Sequence, residues 1–81
     1  MHVTILLFAR LRELTGAGEL ARSVPDGSAA GDVWRALVAE YPPLADYTRT
    51  ISVAINEEYT RPAAAVHDGD RIAFLPPVSG G

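Results

Sequence analysis

Eighty-one residues with a net charge of −3, no cysteine and 48% apolar residues describe one small domain, residues 1–81. The missing cysteine excludes disulfides, thiolate metal ligands and a catalytic thiol, and fits a reducing, cytoplasmic compartment. Mild acidity without a basic cluster excludes a nucleic-acid surface, and no apolar run approaches the length of a membrane span.

The chain enters a strand pattern at once, without the basic start and cleavage motif of a signal peptide. Residues 3–8, Val-Thr-Ile-Leu-Leu-Phe, are β-branched or large and apolar, and predict a buried strand. Alternation puts Val3, Ile5 and Leu7 on one face and Thr4, Leu6 and Phe8 on the other. Residues 9–15 predict a short helix stopped by Gly16, with Leu11 and Leu14 sharing a face. Residues 19–24 alternate weakly up to the turn Pro25-Asp26-Gly27 and predict an edge strand.

Ser28 has the chemistry of an N-cap for a helix over 29–40. Val33, Leu37 and Tyr41, with Trp34 and Val38, form its apolar stripe. Asp32 favours the positive end of the helix dipole. Gly31 is a local weakness, and Pro42-Pro43 ends the helix. Residues 44–50 are a connection without a regular pattern. Residues 51–55 alternate strictly, Asn56-Glu57-Glu58 turns, and Tyr59 to Arg61 returns as a short strand. Asp68-Gly69-Asp70 is a second turn. Residues 71–75 form the last strand, with Ile72 and Phe74 on one face and Ala73 and Leu75 on the other. This order predicts an α+β architecture, one mixed sheet packed on one main helix.

No self-contained catalytic set is visible. His2 and His67 lack ligand spacing, the serines lack a nucleophile elbow, and Asp68 and Asp70 offer too few oxygens for a metal. The expectation is therefore no intrinsic cofactor and no bound metal. What remains is the end of the sequence, Phe74-Leu-Pro-Pro-Val-Ser-Gly-Gly81. Pro76 and Pro77 have no N–H to continue a sheet ladder, so the chain should leave the sheet there as a projecting tail, residues 76–81. Five residues beyond Pro76 reach roughly 17 Å when extended. Gly80 and Gly81 carry no side chain, and a thin tail with a free carboxylate suits a narrow site on another protein.

Three segments carry a resemblance: Leu6-Leu-Phe-Ala-Arg-Leu-Arg-Glu-Leu-Thr-Gly16, Val53-Ala-Ile-Asn56, and Asp68-Gly-Asp through Pro76-Pro-Val-Ser-Gly-Gly81. With the chain length, they resemble the MoaD family of ubiquitin-like sulfur carriers, the small subunits of molybdopterin synthase. The resemblance implies a ubiquitin-like β-grasp fold with the first and last strands parallel. It implies that Gly81, behind Gly80, is adenylated with ATP by an E1-like (MoeB-like) activating enzyme. A sulfur donor protein then converts it to a thiocarboxylate. The sulfur passes to cyclic pyranopterin monophosphate in a large (MoaE-like) subunit and forms the molybdopterin dithiolene. The resemblance also assigns Phe8, Tyr59 and Leu75 to a hydrophobic patch that binds the large subunit. Pro76, Pro77, Val78 and Ser79 enter the partner with the tail. The same carrier chemistry for thiamine or cysteine synthesis, a ubiquitin-like protein modifier, and a plain interaction module are the alternatives.

Overall fold

The computed structural model describes residues 1–77. Its elements are β1 (His2–Leu7), α1 (Ala9–Thr15), β2 (Glu19–Ser23), α2 (Ala30–Glu40), a 3₁₀ segment (Pro42–Tyr47), β3 (Ser52–Ile55), β4 (Glu58–Thr60) and β5 (Arg71–Leu75). They form one five-stranded sheet in the order β2-β1-β5-β3-β4. β1 and β5 run parallel at its centre, with Ile5 opposite Ile72 and Leu7 opposite Phe74. All other pairs are antiparallel. This is the mixed sheet on one main helix that the sequence predicts.

The core lies between the sheet and α2. Val3, Ile5 and Leu7, with Val53, Ile72 and Phe74, pack against Val33, Trp34 and Leu37. Leu11, Leu44 and Val66 close its margins. Trp34 is a packing residue: its ring lies 5.1 Å from that of Phe74, tilted by 54°. Its indole N–H donates to Thr48 Oγ1 at 3.0 Å, so the one polar atom it carries inward is satisfied.

Four local expectations are corrected. The first strand stops at Leu7, and Phe8 instead stands extended at the N-cap of α1. The N-cap of α2 is Ala29, not Ser28. The Ser28 hydroxyl is drawn back into the preceding turn and donates to the Pro25 carbonyl at 2.6 Å. Asp32 takes over part of the capping, accepting the Ala29 N–H at 2.8 Å. Pro42 and Pro43 themselves open a 3₁₀ segment, Pro42–Tyr47, that buries Leu44 and forms the first part of the connection. β4 begins one residue early, at Glu58, so the turn is only Asn56-Glu57.

Gly31 has a reason to be glycine. Its N–H donates to the Pro62 carbonyl at 2.8 Å, and an added Cβ would sit 3.2 Å from that oxygen. The weak point in the helix is where the 62–66 loop is fastened to it, helped by Ala30 N–H to the Ala64 carbonyl at 3.0 Å.

Candidate functional site

Among the described residues, no helix lies over the second face of the sheet. Alternation directs Leu6, Ala73 and Ala54 to this face, and the register sets them side by side. Leu6 pairs with Ala73, Ala73 with Ala54, and Ala54 with Tyr59. The row therefore runs across four strands, with two alanines in its middle. A methyl is the smallest side chain that still marks a face, so the centre of the row is low and its ends are high. The result is an open depression of about 280 Å³ lined by Leu6, Phe8, Ala54, Tyr59, Ala73 and Leu75. Glu57 and Arg71 also line it, one charge of each sign.

Two of the lining residues are the large apolar side chains that the fold leaves in water. Phe8 is 44% exposed and Tyr59 is 75% exposed. Each is held by a local turn. Phe8 is extended, and Ala9 at φ 50° swings the chain out of the strand into α1, leaving Phe8 on the rim. Tyr59 follows the two-residue turn Asn56-Glu57, whose φ values of 50° and 72° are those of a primed hairpin turn. α1 does not cover the depression; it sends Leu11 into the core on the other side. Exposed apolar clusters of this kind mark partner surfaces.

β5 ends at Leu75, opposite Ser52, and Pro76 and Pro77 follow outside any strand. The exit of the tail thus lies directly beside the depression, since Leu75 belongs to both. Val78, Ser79, Gly80 and Gly81, four of the predicted site residues, lie outside the described residues. The two proline positions, Phe8, Tyr59 and Leu75 are brought to one side of the molecule. Alternation along the sequence already puts Ala73 on this face; the contribution of Ala54 escapes sequence reasoning, because its smallness has meaning only once it is paired with Ala73.

The structure also tests the polar residues that the sequence sets aside. His2 Nδ1 lies 3.1 Å from Ser23 Oγ on the outer edge of the sheet. Asp68 bonds the His2 backbone N–H at 2.6 Å and not its ring, so the three do not form a relay. Asp70 is only 8% exposed, but its carboxylate oxygens accept the Asn56 amide N–H at 2.9 Å and the His67 N–H at 2.7 Å. It is a structural clamp. Among the described residues no group of His, Asp and Glu could hold a metal ion, and no helix is long and apolar enough to cross a membrane.

Residues 5–81 match the ThiS family. The molybdopterin synthase sulfur carrier subunit of Arabidopsis thaliana is 41% identical over 81 residues, spanning all of this chain and 84% of that protein. The subunit of the same name from Chlamydomonas reinhardtii is 37% identical over 83 residues and is spanned completely. Among solved structures, that of SAMP1 from Haloferax volcanii matches with a TM-score of 0.85 at 32% identity over all of both chains. This chain belongs to the ThiS family and has its ubiquitin-like β-grasp fold.

Proposed function

We propose that this chain is the sulfur-carrier subunit of a molybdopterin synthase, with Gly81 as the C-terminal residue of the working protein. The observation that carries the reading is the full-span identity with two molybdopterin synthase sulfur carrier subunits. The tail sequence after β5 supplies the chemistry. A carboxylate is a poor electrophile. Attack of the Gly81 carboxylate on the α-phosphate of ATP, on an E1-like enzyme, releases pyrophosphate and makes a mixed anhydride. Hydrosulfide, or its equivalent released from the sulfur donor, then attacks the carbonyl carbon, displaces AMP, loses a proton and leaves the thiocarboxylate. Glycine at both final positions puts no Cβ beside the reacting carbonyl and lets the tail enter two different enzymes in turn.

The large subunit of the synthase docks on the open face in this reading, with Phe8, Tyr59 and Leu75 as its apolar anchors. The side-by-side placement of that face and the tail exit supports it: one partner can hold the body and receive the tail. A complex of subunits 1 and 2 of a molybdopterin-converting factor from Helicobacter pylori shares the fold, with a TM-score of 0.70 at 23% identity. The chain carries the sulfur; the reaction with the pterin belongs to the partner.

The test is intact-mass measurement after incubation with the cognate activating enzyme, ATP and a sulfur source. The expected result is a mass gain equal to one oxygen replaced by sulfur, lost again when the large subunit and the pterin precursor are added. No gain from a chain ending in Gly81 overturns the proposal. A second reading, attachment to lysines of other proteins, is favoured by the likeness to the small archaeal modifier SAMP1. Isopeptide adducts through Gly81 in cell extract would distinguish it.

A further inference from the structure

An acyl-adenylate is open to any unprotonated amine that reaches it. The amine nitrogen bonds to the carbonyl carbon, the bond to AMP breaks, a proton is released and an amide remains. Any five-residue peptide spans at most roughly 17 Å when extended, and the body measures 37 × 24 × 18 Å. An amine on the carrier's own surface would meet the activated carboxyl at an effective concentration on the order of millimolar. Self-capture is therefore the nearest side reaction available to such a carrier.

The sequence contains no lysine; all seven cationic side chains are arginines, at 10, 12, 22, 35, 49, 61 and 71. A guanidinium stays protonated and has no free lone pair at neutral pH, so it does not attack an acyl group. Partners reinforce this at two positions. The guanidinium of Arg10 is held above its ordinary value by Glu13, and that of Arg22 by Glu40.

Local bonding explains arginine at some positions and not at others. Arg22 uses its fork, with Nη2 on Glu40 at 2.7 Å and Nη1 on the Ala21 carbonyl at 2.9 Å. Arg10 makes an ordinary exposed pair with Glu13 at 3.0 Å, a role lysine fills as well. Arg49 and Arg61 are exposed surface residues. The remaining amine is that of Met1. It donates to the Val24 carbonyl at 2.8 Å and lies 3.5 Å from Asp26, and the Met1 side chain is 10% exposed. It serves as the end of the β1–β2 ladder, and acylating it would remove the positive charge it sets against Asp26.

We propose that this lysine-free body is a self-protection feature: an activated Gly81 finds no side-chain amine on the carrier that bears it or on a neighbouring copy. The inference rests on the sulfur-carrier reading. It also has a consequence for the modifier reading. A chain without lysine offers no side-chain amine to a further copy of itself, so it cannot be extended through isopeptide bonds.

The test activates the full chain with its adenylating enzyme and ATP, leaving out the sulfur donor. Pyrophosphate release reports activation; its absence counts against the sulfur-carrier reading and is distinct from the outcomes below. Wild type is compared with Arg49→Lys and Arg10→Lys, both exposed and near the root of the tail. Arg49 lies three residues before Ser52, the partner of Leu75, and Arg10 lies three after Leu7, the partner of Phe74. With pyrophosphate released, the wild type should show no self-adduct by intact mass. At least one lysine variant should lose one water, or appear as two chains less one water, rising from undetectable to a major species. Self-adducts in the wild type overturn the proposal. So does silence of both lysine variants, because protection then comes from the activating enzyme and not from the missing amines.

Discussion

Asn56 and Asp70 tie the β3–β4 turn to the start of β5. The Asn56 amide donates to Asp70 Oδ1 at 2.9 Å, and its carbonyl oxygen accepts the Arg71 N–H, also at 2.9 Å. The Asn56 backbone N–H completes the link, donating to the Arg71 carbonyl at 2.8 Å. Asn56→Ala removes both side-chain bonds and leaves an Asp70 oxygen without its partner in a nearly buried site. The expected loss is about 1–3 kcal/mol, read as a lower urea midpoint at unchanged slope. Asp70→Ala breaks the same link, so the double variant should lose less than the sum of the singles. Additive losses would show that the two residues stabilise the fold separately.

Gly81 and Phe74 are seven residues apart and should respond in opposite ways. Phe74 is fully buried against Trp34. Phe74→Ala is expected to cost about 3–5 kcal/mol, a large share of the roughly 5–15 kcal/mol that holds a domain of this kind. It should unfold much of the protein at growth temperature. The core among the described residues runs from Val3 to Phe74, and Gly81 lies outside those residues. Its deletion is the opposite test. It should leave the melting temperature unchanged and abolish thiocarboxylate formation. A fall in melting temperature on deletion would mean that the terminus is part of the fold.

Asp32 gives the α2 helix an acid-sensitive start. The Ala29 N–H, and after it the Arg35 guanidinium, hold its carboxyl below the ordinary carboxylate value. A carboxyl depressed in this way stabilises the fold above its unfolded-state value, and that contribution fades as pH falls through its folded-state value. Asp32→Ala should therefore lower the melting temperature at neutral pH. The gap between variant and wild type should close as the pH falls through the acid range below the ordinary carboxylate value. A gap that stays constant down that range would assign the effect to helix propensity and not to charge.

Legibility in the sequence followed the range of the interaction that decides each feature. β1, β3, β5 and α2 were readable because the period-2 and period-3.6 patterns of Val3, Ile5, Leu7, Val33 and Leu37 act within one element. Ser28 was misread because its hydroxyl has two acceptable partners, and the turn behind it wins over the helix ahead. The 3₁₀ segment after Pro42-Pro43 was invisible because its form depends on burying Leu44 under α2. At the candidate site, Phe8, Tyr59 and Leu75 came from family resemblance. Alternation puts Ala73 on the same face, whereas Ala54 comes only from register, which sets it against Ala73, 19 residues on.

That register yields the sharpest test of the docking face. The depression is deep because Ala73 and Ala54 meet at its centre, and its rim is apolar because Phe8 and Tyr59 are left in solvent. Ala73→Leu fills the centre from the face opposite the core, so it should leave the melting temperature close to wild type. Phe8→Asp replaces an exposed rim side chain with a charge and should be similarly mild for folding. If the large subunit seats here, each should weaken its binding by about 1–3 kcal/mol, roughly 5- to 150-fold in Kd, the range of central interface positions. Activation by the adenylating enzyme, followed as pyrophosphate release, separates the two uses of the tail. An enzyme that grips mainly residues 76–81 will still activate both variants. Variants that fold, are activated and bind the large subunit as tightly as wild type would remove this face from the interface, leaving the tail alone to make it.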